Sequence, residues 1–248
     1  MKKKVALINY LNTAPFLEGM NTYHAFENEF EIIKAVPSVC AQYFKNGDVD
    51  VAIVPVGALD SIGEYQIVSD FCIGANAAVK TVAVFAQKPL EQIDCIYLDT
   101  DSRSSVKLLK ILLAEFWHLS PALKSMQEFK GELLLNEALL CIGDKTFPML
   151  NQYSYQYDLA DAWNKYTGLP FVFALWVQNG SLTPFQCQVF NKALTIGIDN
   201  RTSVAAKMHL LHPEIDFQDY YFSCINYNLD TEKLKAIHLF LEKSKNYD

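Results

Sequence analysis

Arginine is nearly absent from this 248-residue chain: of 21 basic residues only Arg103 and Arg201 are arginine. Acidic residues number 28, for a net charge of −7, and no stretch concentrates lysine into a stripe. That excludes nucleic acid as a partner, because its binding rests on neutralising phosphates. Long apolar runs are missing too. The longest, Phe171 to Val177, has seven residues, whereas a membrane-spanning helix needs about 20. With only 10 glycines the chain contains neither GxGxxG nor GxxxxGK[ST], so a nucleotide-phosphate loop is excluded. There is no Gly-x-Ser-x-Gly elbow, and no cysteine has an evident histidine partner. His209 and His212 lie three apart without a third ligand at suitable spacing, so no metal is expected. The six cysteines (40, 72, 95, 141, 187 and 224) are scattered singly with no CxxC. Most sit in apolar runs, where a free thiol behaves as a small hydrophobe and implies a reducing compartment. After Met-Lys-Lys-Lys only Val5 to Ile8 precede Asn9. That is too short for the ~7–15 apolar residues of a secretion signal, which predicts a cytoplasmic chain.

What is present is an ordinary globular composition, 51% hydrophobic and 20% charged, enough for one large domain or two modest ones. Short β-branched runs alternate with helical patterns, as in α/β proteins. Strands are expected at Val5–Tyr10, Phe30–Val36, Val49–Pro55, Tyr65–Gly74, Lys80–Gln87, Ile93–Leu98 and Phe171–Val177. Helices are expected at Ala14–Met20, Ser38–Lys45, Ser105–Trp117 and Tyr157–Tyr166, with a helix followed by a strand over Leu133–Ile142. From Thr183 to Asp248 the pattern is mostly helical, with an extended break at Tyr220–Asn226. No flexible linker separates domains. The strands at 80–87 and 171–177 therefore predict a two-lobed molecule with crossover segments: one lobe from 1–85 plus 178–248, the other from 86–177, and ligand in the cleft between. The alternative is one continuous sheet.

In open α/β sheets ligands bind beyond the carboxyl ends of strands, at helix N-termini. Four loops qualify: Tyr10–Pro15, Pro55-Val56-Gly57, Ser102-Arg103-Ser104-Ser105, and Gly143-Asp144-Lys145-Thr146. They share hydroxyls, amides and small residues. Ser102 to Ser105 opens a long amphipathic helix, where free N–H groups and hydroxyls make an anion site. The same residues are also what a simple helix cap looks like. Asn12 can position a substrate at a strand end or merely close a turn, and Asp144 carries the same ambiguity. Asp158 and Asp161 share a helix face and read as solvated; Tyr153, Tyr155 and Tyr157 read as structural. The residues alone thus leave a cleft for a small anion, in either a solute-binding protein or an enzyme on that frame.

Five stretches in order carry a resemblance. Ile8-Asn9-Tyr10-Leu11-Asn12-Thr13-Ala14-Pro15-Phe16, Asp50-Val51-Ala52-Ile53-Val54-Pro55-Val56, Ser102-Arg103-Ser104-Ser105-Val106, Ile142-Gly143-Asp144, and Asp158-Leu159…Trp163…Thr167-Gly168-Leu169-Pro170-Phe171 onward to Trp176 together resemble the chorismate dehydratases of the futalosine route to menaquinone. The resemblance implies a type II periplasmic-binding-protein fold with a central cleft. It also implies loss of water from chorismate, a dicarboxylate, to give 3-[(1-carboxyvinyl)oxy]benzoate without cofactor. On this reading the substrate's own enolpyruvyl carboxylate takes the ring proton while Asn12 holds the geometry. Thr13, Val56, Thr81, Ser102, Arg103, Ser104, Ser105, Gly143 and Asp144 would surround the substrate. Arg103 either reaches a carboxylate or pins its loop. Two departures stand out: Ala77-Ala78 and Thr81 replace the family's Gly-Pro pair and serine, and Ser104 replaces a threonine. The rivals are the 1,4-dihydroxy-6-naphthoate synthase of the same route and a non-enzymatic receptor for a small carboxylate. Nothing in the pattern fixes an oligomeric state.

Overall fold

A computed structural model describes residues 1–99 and 101–247; Thr100 of the polar loop and Asp248 lie outside the described residues. In chain order the elements are β1 (Lys3–Ile8), α1 (Ala14–Thr22), α2 (His24–Glu29), β2 (Phe30–Ala35), α3 (Pro37–Asn46), β3 (Val51–Pro55), β4 (Gln66–Ala75), β5 (Val82–Ala86), β6 (Cys95–Leu98) and α4 (Arg103–Glu115). There follow β7 (Ala122–Ser125), β8 (Glu137–Ile142), β9 (Tyr155–Asp158), α5 (Leu159–Thr167), β10 (Phe171–Gln178), α6 (Pro184–Asp199), α7 (Arg201–Leu211), α8 (Phe217–Asp219), β11 (Asn226–Asn228) and α9 (Thr231–Ser244). They form two sheets, with strand orders β11-β4-β10-β3-β1-β2 and β7-β6-β8-β5-β9, which removes the single-sheet alternative.

Apolar runs fill the middle of each sheet. All five residues of β3 are buried, as expected of a strand covered on both faces. β1 runs parallel to β2 and β3, while β10 returns antiparallel between β3 and β4. Each of β5 and β10 pairs within a single sheet. The strand pairings therefore place residues 82–85 in the second sheet and 171–177 in the first, opposite to the boundaries expected from the sequence. The chain changes sheets through residues 76–81 and again around α5.

Several local expectations are corrected. Leu133–Asn136 is irregular rather than helical. Leu134 and Leu135 are exposed, and the Glu137 carboxylate accepts the Leu134 N–H; only Leu133 of the run packs on the second sheet's apolar cluster, too little to drive a helix. Tyr157 belongs to β9, and the helix begins one residue after Asp158. Asp158 is not solvated. It caps α5 by accepting from Ala160 and Asp161, and it also accepts the Val79 and Lys80 N–H groups at 2.9 and 2.7 Å, tying the first crossover to α5. The expected extended break at Tyr220–Asn226 is instead a π-helical turn, Tyr220–Cys224, followed by β11. The Ile225 N–H reaches back to the Tyr220 carbonyl, an arrangement that buries Tyr220 and Tyr221 together.

The first sheet's helices are drawn close where α1 crosses α6. A Cβ on Gly19 would meet the Ala193 carbonyl oxygen at 2.0 Å, and one on Gly197 the Pro15 carbonyl oxygen at 1.9 Å. This contact sets the position of α1, and with it the Tyr10–Thr13 loop.

Candidate active site

Where the two sheets face each other, their strand ends and helix starts form a cleft. Tyr10, Asn12, Thr81, Ser102, Ser105 and Gly143 line it, with apolar walls that include Val79 and Phe173. One side comes from the loop after β1. Asn12 sits in a turn of 3-10 helix, Leu11–Thr13, and its carbonyl accepts from the Tyr227 phenol at 2.9 Å. Its Oδ1 is buried yet has no hydrogen-bond partner. The Tyr10 hydroxyl, in the same cleft, is likewise buried and unpartnered.

The opposite side is the N-terminus of α4. Ser102 Oγ accepts both the Ser105 N–H at 3.3 Å and the Ser105 O–H at 3.1 Å, so Ser102 keeps its own proton for a ligand. The cap residues Ser102 and Ser105 thus also face the cleft. α4 runs 13 residues, long enough for its dipole to favour an anion at this end.

Thr81 stands on the crossover. Its carbonyl accepts the Gly143 N–H at 2.8 Å, and its hydroxyl pairs with the buried Tyr220 hydroxyl at 3.0 Å. Gly143 has φ +68, and a Cβ there would come within 2.9 Å of the Tyr10 ring. Asp144 crosses from the second sheet to the first and accepts the Leu11 N–H at 3.0 Å and 3.1 Å. Burial pushes its carboxyl up to about 6, against the pull of that N–H and of His212.

Five expected site residues lie outside the cleft lining: Asp144, whose carboxylate is taken up by the Leu11 N–H, and four others. Thr13 is buried, its hydroxyl within reach of the Ile8 and Tyr10 carbonyls at 2.6 and 2.8 Å; it closes the turn that presents Asn12. Val56 is wholly buried behind Pro55, which takes its place in the cleft wall. Ser104 is also wholly buried. Its Oγ accepts the Gly57 N–H at 2.8 Å and donates to the Phe173 carbonyl at 3.4 Å, so it fastens α4 to the first sheet. Gly57 must be small there, since a Cβ would meet the Ser104 backbone at 2.7 Å. Arg103 is exposed and lines a separate surface hollow with Ser38, Gln42 and Lys45. Arg201 lies over the Phe222 and Tyr227 rings, so neither arginine enters the cleft.

The residues that sequence reasoning passed over are tyrosines. Tyr10 reads both as the end of the first strand and as the start of the Tyr10–Pro15 loop; β1 stops at Ile8, so the loop reading stands, but the sequence does not single out its phenol. Tyr220, Tyr221 and Tyr227 come from the far C-terminal segment and grip Thr81, Leu11 and Asn12 respectively. Their separation in the chain gives no local signal. Among the described residues no group of three or more His, Cys, Asp or Glu is placed to hold a metal, and no helix is long and apolar enough to cross a membrane.

Similarity to known proteins follows the whole chain. A chorismate dehydratase from Thermus thermophilus is 25% identical over 264 residues, covering 96% of this chain and 93% of that one. Protein AF1704 from Archaeoglobus fulgidus superposes with a TM-score of 0.75 at 17% identity, over 99% of this chain and 97% of its own. The Candida albicans CA3427 gene product, described as having the generic periplasmic binding protein fold, gives a TM-score of 0.64 at 13% identity, over 99% and 90% of the two chains. The expected periplasmic-binding-protein fold is therefore the fold of this chain. The family model for menaquinone biosynthesis matches residues 3–246, and the chain belongs to that family.

Proposed function

We propose that this protein is a chorismate dehydratase, removing water from chorismate to form 3-[(1-carboxyvinyl)oxy]benzoate. The observation that carries the reading is the full-length similarity to the Thermus thermophilus enzyme. The cleft agrees with it chemically. One substrate carboxylate is received by Ser102, Ser105 and the start of α4, which offer donors without a full positive charge. The enolpyruvyl carboxylate takes the proton from the ring carbon that bears the ether. The electron pair left behind forms the last double bond of the aromatic ring, and the neighbouring carbon–oxygen bond breaks. The abstracted proton leaves with the hydroxide as water. Aromatisation supplies the driving force, so the protein's task is alignment and exclusion of bulk water. Asn12, with its unpartnered Oδ1, holds the reacting edge of the ring. The six unpaired cysteines support placing this activity in the cytoplasm.

The test is incubation of purified protein with chorismate, with no metal or nucleotide added. Loss of chorismate with appearance of the aromatic product is expected. Tight carboxylate binding without turnover would establish the receptor alternative instead.

A further inference from the structure

Among the described residues, four buried side-chain atoms lack a hydrogen-bond partner: Tyr10 OH, Asn12 Oδ1, Trp176 Nε1 and Gln178 Oε1. Only Tyr10 and Asn12 also line the cleft. They lie two residues apart in one loop. The Tyr10 ring is held across the cleft by Gly143, whose missing side chain leaves room for it. A buried polar atom without a partner is costly, and in a cleft it marks where a ligand atom completes the bond.

The two atoms ask for different things. A carbonyl oxygen such as Asn12 Oδ1 only accepts, whereas a phenol donates. Chorismate with both carboxylates ionised has one conventional hydrogen-bond donor, its ring hydroxyl, so an acceptor-only atom facing the substrate selects that group. The surroundings of Tyr10 point the same way. Asp99, Asp101 and Asp144 face it against the single cation Lys145, which is itself held by Asp99 at 2.5 Å and Asp101 at 3.0 Å. A substrate carboxylate would be repelled there; a neutral hydroxyl would not.

We propose that the Tyr10 hydroxyl donates a hydrogen bond to the oxygen that departs from the substrate, while Asn12 Oδ1 accepts that oxygen's own proton. This rests on the dehydratase reading and adds to it a catalytic residue for the leaving group. As the carbon–oxygen bond breaks the Tyr10 hydrogen bond strengthens, and delivery of the ring proton keeps the departing oxygen from holding a full negative charge among these carboxylates. Tyr10 remains protonated throughout: burial and the neighbouring carboxylates raise its pKa far above the ordinary phenol value. The proton that makes the leaving group water is the one taken from the ring by the enolpyruvyl carboxylate, so no proton is gained or lost by the protein.

The product distinguishes this role from carboxylate binding, because it keeps both carboxylates and lacks the hydroxyl. Tyr10→Phe keeps the ring against Gly143 and removes only an unpartnered oxygen, so its melting temperature is expected to stay at or above wild type. Its kcat is expected to fall ~10²–10³-fold, with product affinity, measured by calorimetry, within about twofold of wild type. Provided that the wild type turns over chorismate, product affinity falling together with a rise in KM in Tyr10→Phe, or a kcat unchanged by that substitution, overturns the inference alone. Wild-type protein that neither consumes chorismate nor binds the product overturns the dehydratase reading, and this inference with it.

Discussion

The Tyr227 phenol donates to the Asn12 carbonyl at 2.9 Å, joining residues 215 positions apart. Tyr221 does the same to the Leu11 carbonyl at 2.9 Å. The loop that presents Asn12 is therefore held by the C-terminal segment as well as by its own turn. Tyr227→Phe keeps the edge-to-face contact with Phe16 but removes the phenol's bond to the Asn12 carbonyl. It is expected to cost about 1–2 kcal/mol of stability and to lower kcat more than it raises KM, because Asn12 shifts. Thermal melting and steady-state kinetics on one preparation check this. A lowered melting temperature with an unchanged kcat would reduce Tyr227 to a structural prop.

Asn12 itself is expected to behave differently. Its side-chain oxygen has no internal partner to lose, so Asn12→Ala leaves the melting temperature close to wild type. An interaction realised in the transition state is worth ~10²–10³ in rate, and kcat is expected to fall by that order with a smaller effect on KM. A variant that unfolds earlier yet turns over normally would show Asn12 to be a turn residue.

Ser104 and Ser105 are adjacent but point to separate tasks. Ser105→Ala removes a hydroxyl bonded to Ser102 at the cleft wall, and is expected to raise KM several-fold with little change in melting. Ser104→Ala leaves the buried Gly57 N–H without its acceptor and is expected to cost about 1–3 kcal/mol of stability. Its effect on KM follows only from loosening of α4. Equal KM changes in the two variants at unchanged melting temperature would contradict the division.

This pair shows where the sequence can be read and where it cannot. Ser-Arg-Ser-Ser ahead of an amphipathic run marks a helix start, and the start does reach the cleft. Which serine faces it depends on Gly57 and Phe173, whose closeness is tertiary. The buried strands Val51–Pro55 and Phe171–Gln178 are legible because burial on both faces demands unbroken apolar runs. Ala122–Ser125, a four-residue strand with alternate residues exposed, carries too little pattern to be found. Asp158 reads as a solvated helix-face acid because its four N–H donors come from two separated segments. The three gripping tyrosines are invisible for the same reason: each partner lies well over a hundred residues away.

Asp144 gives the molecule a pH dependence of definite sign. Its carboxylate accepts the Leu11 N–H, but burial outweighs that bond and raises its pKa from 3.8 to about 6 in the folded chain. Between those values the folded protein holds a proton that the unfolded chain has already released. Stability from this residue is therefore greatest below pH 4, declines as pH rises through that window, and is lost above about pH 6. The amount is about 1–3 kcal/mol, allowing for partial exposure of the carboxyl. Asp144→Asn keeps an acceptor for the Leu11 N–H and cannot ionise. The variant's melting temperature, relative to wild type, is expected to rise by several degrees between pH 4 and pH 7. A difference that stays constant across that range would mean that Asp144 does not titrate there, and that the joint between the Gly143-Asp144 turn and the Asn12 loop is indifferent to its charge.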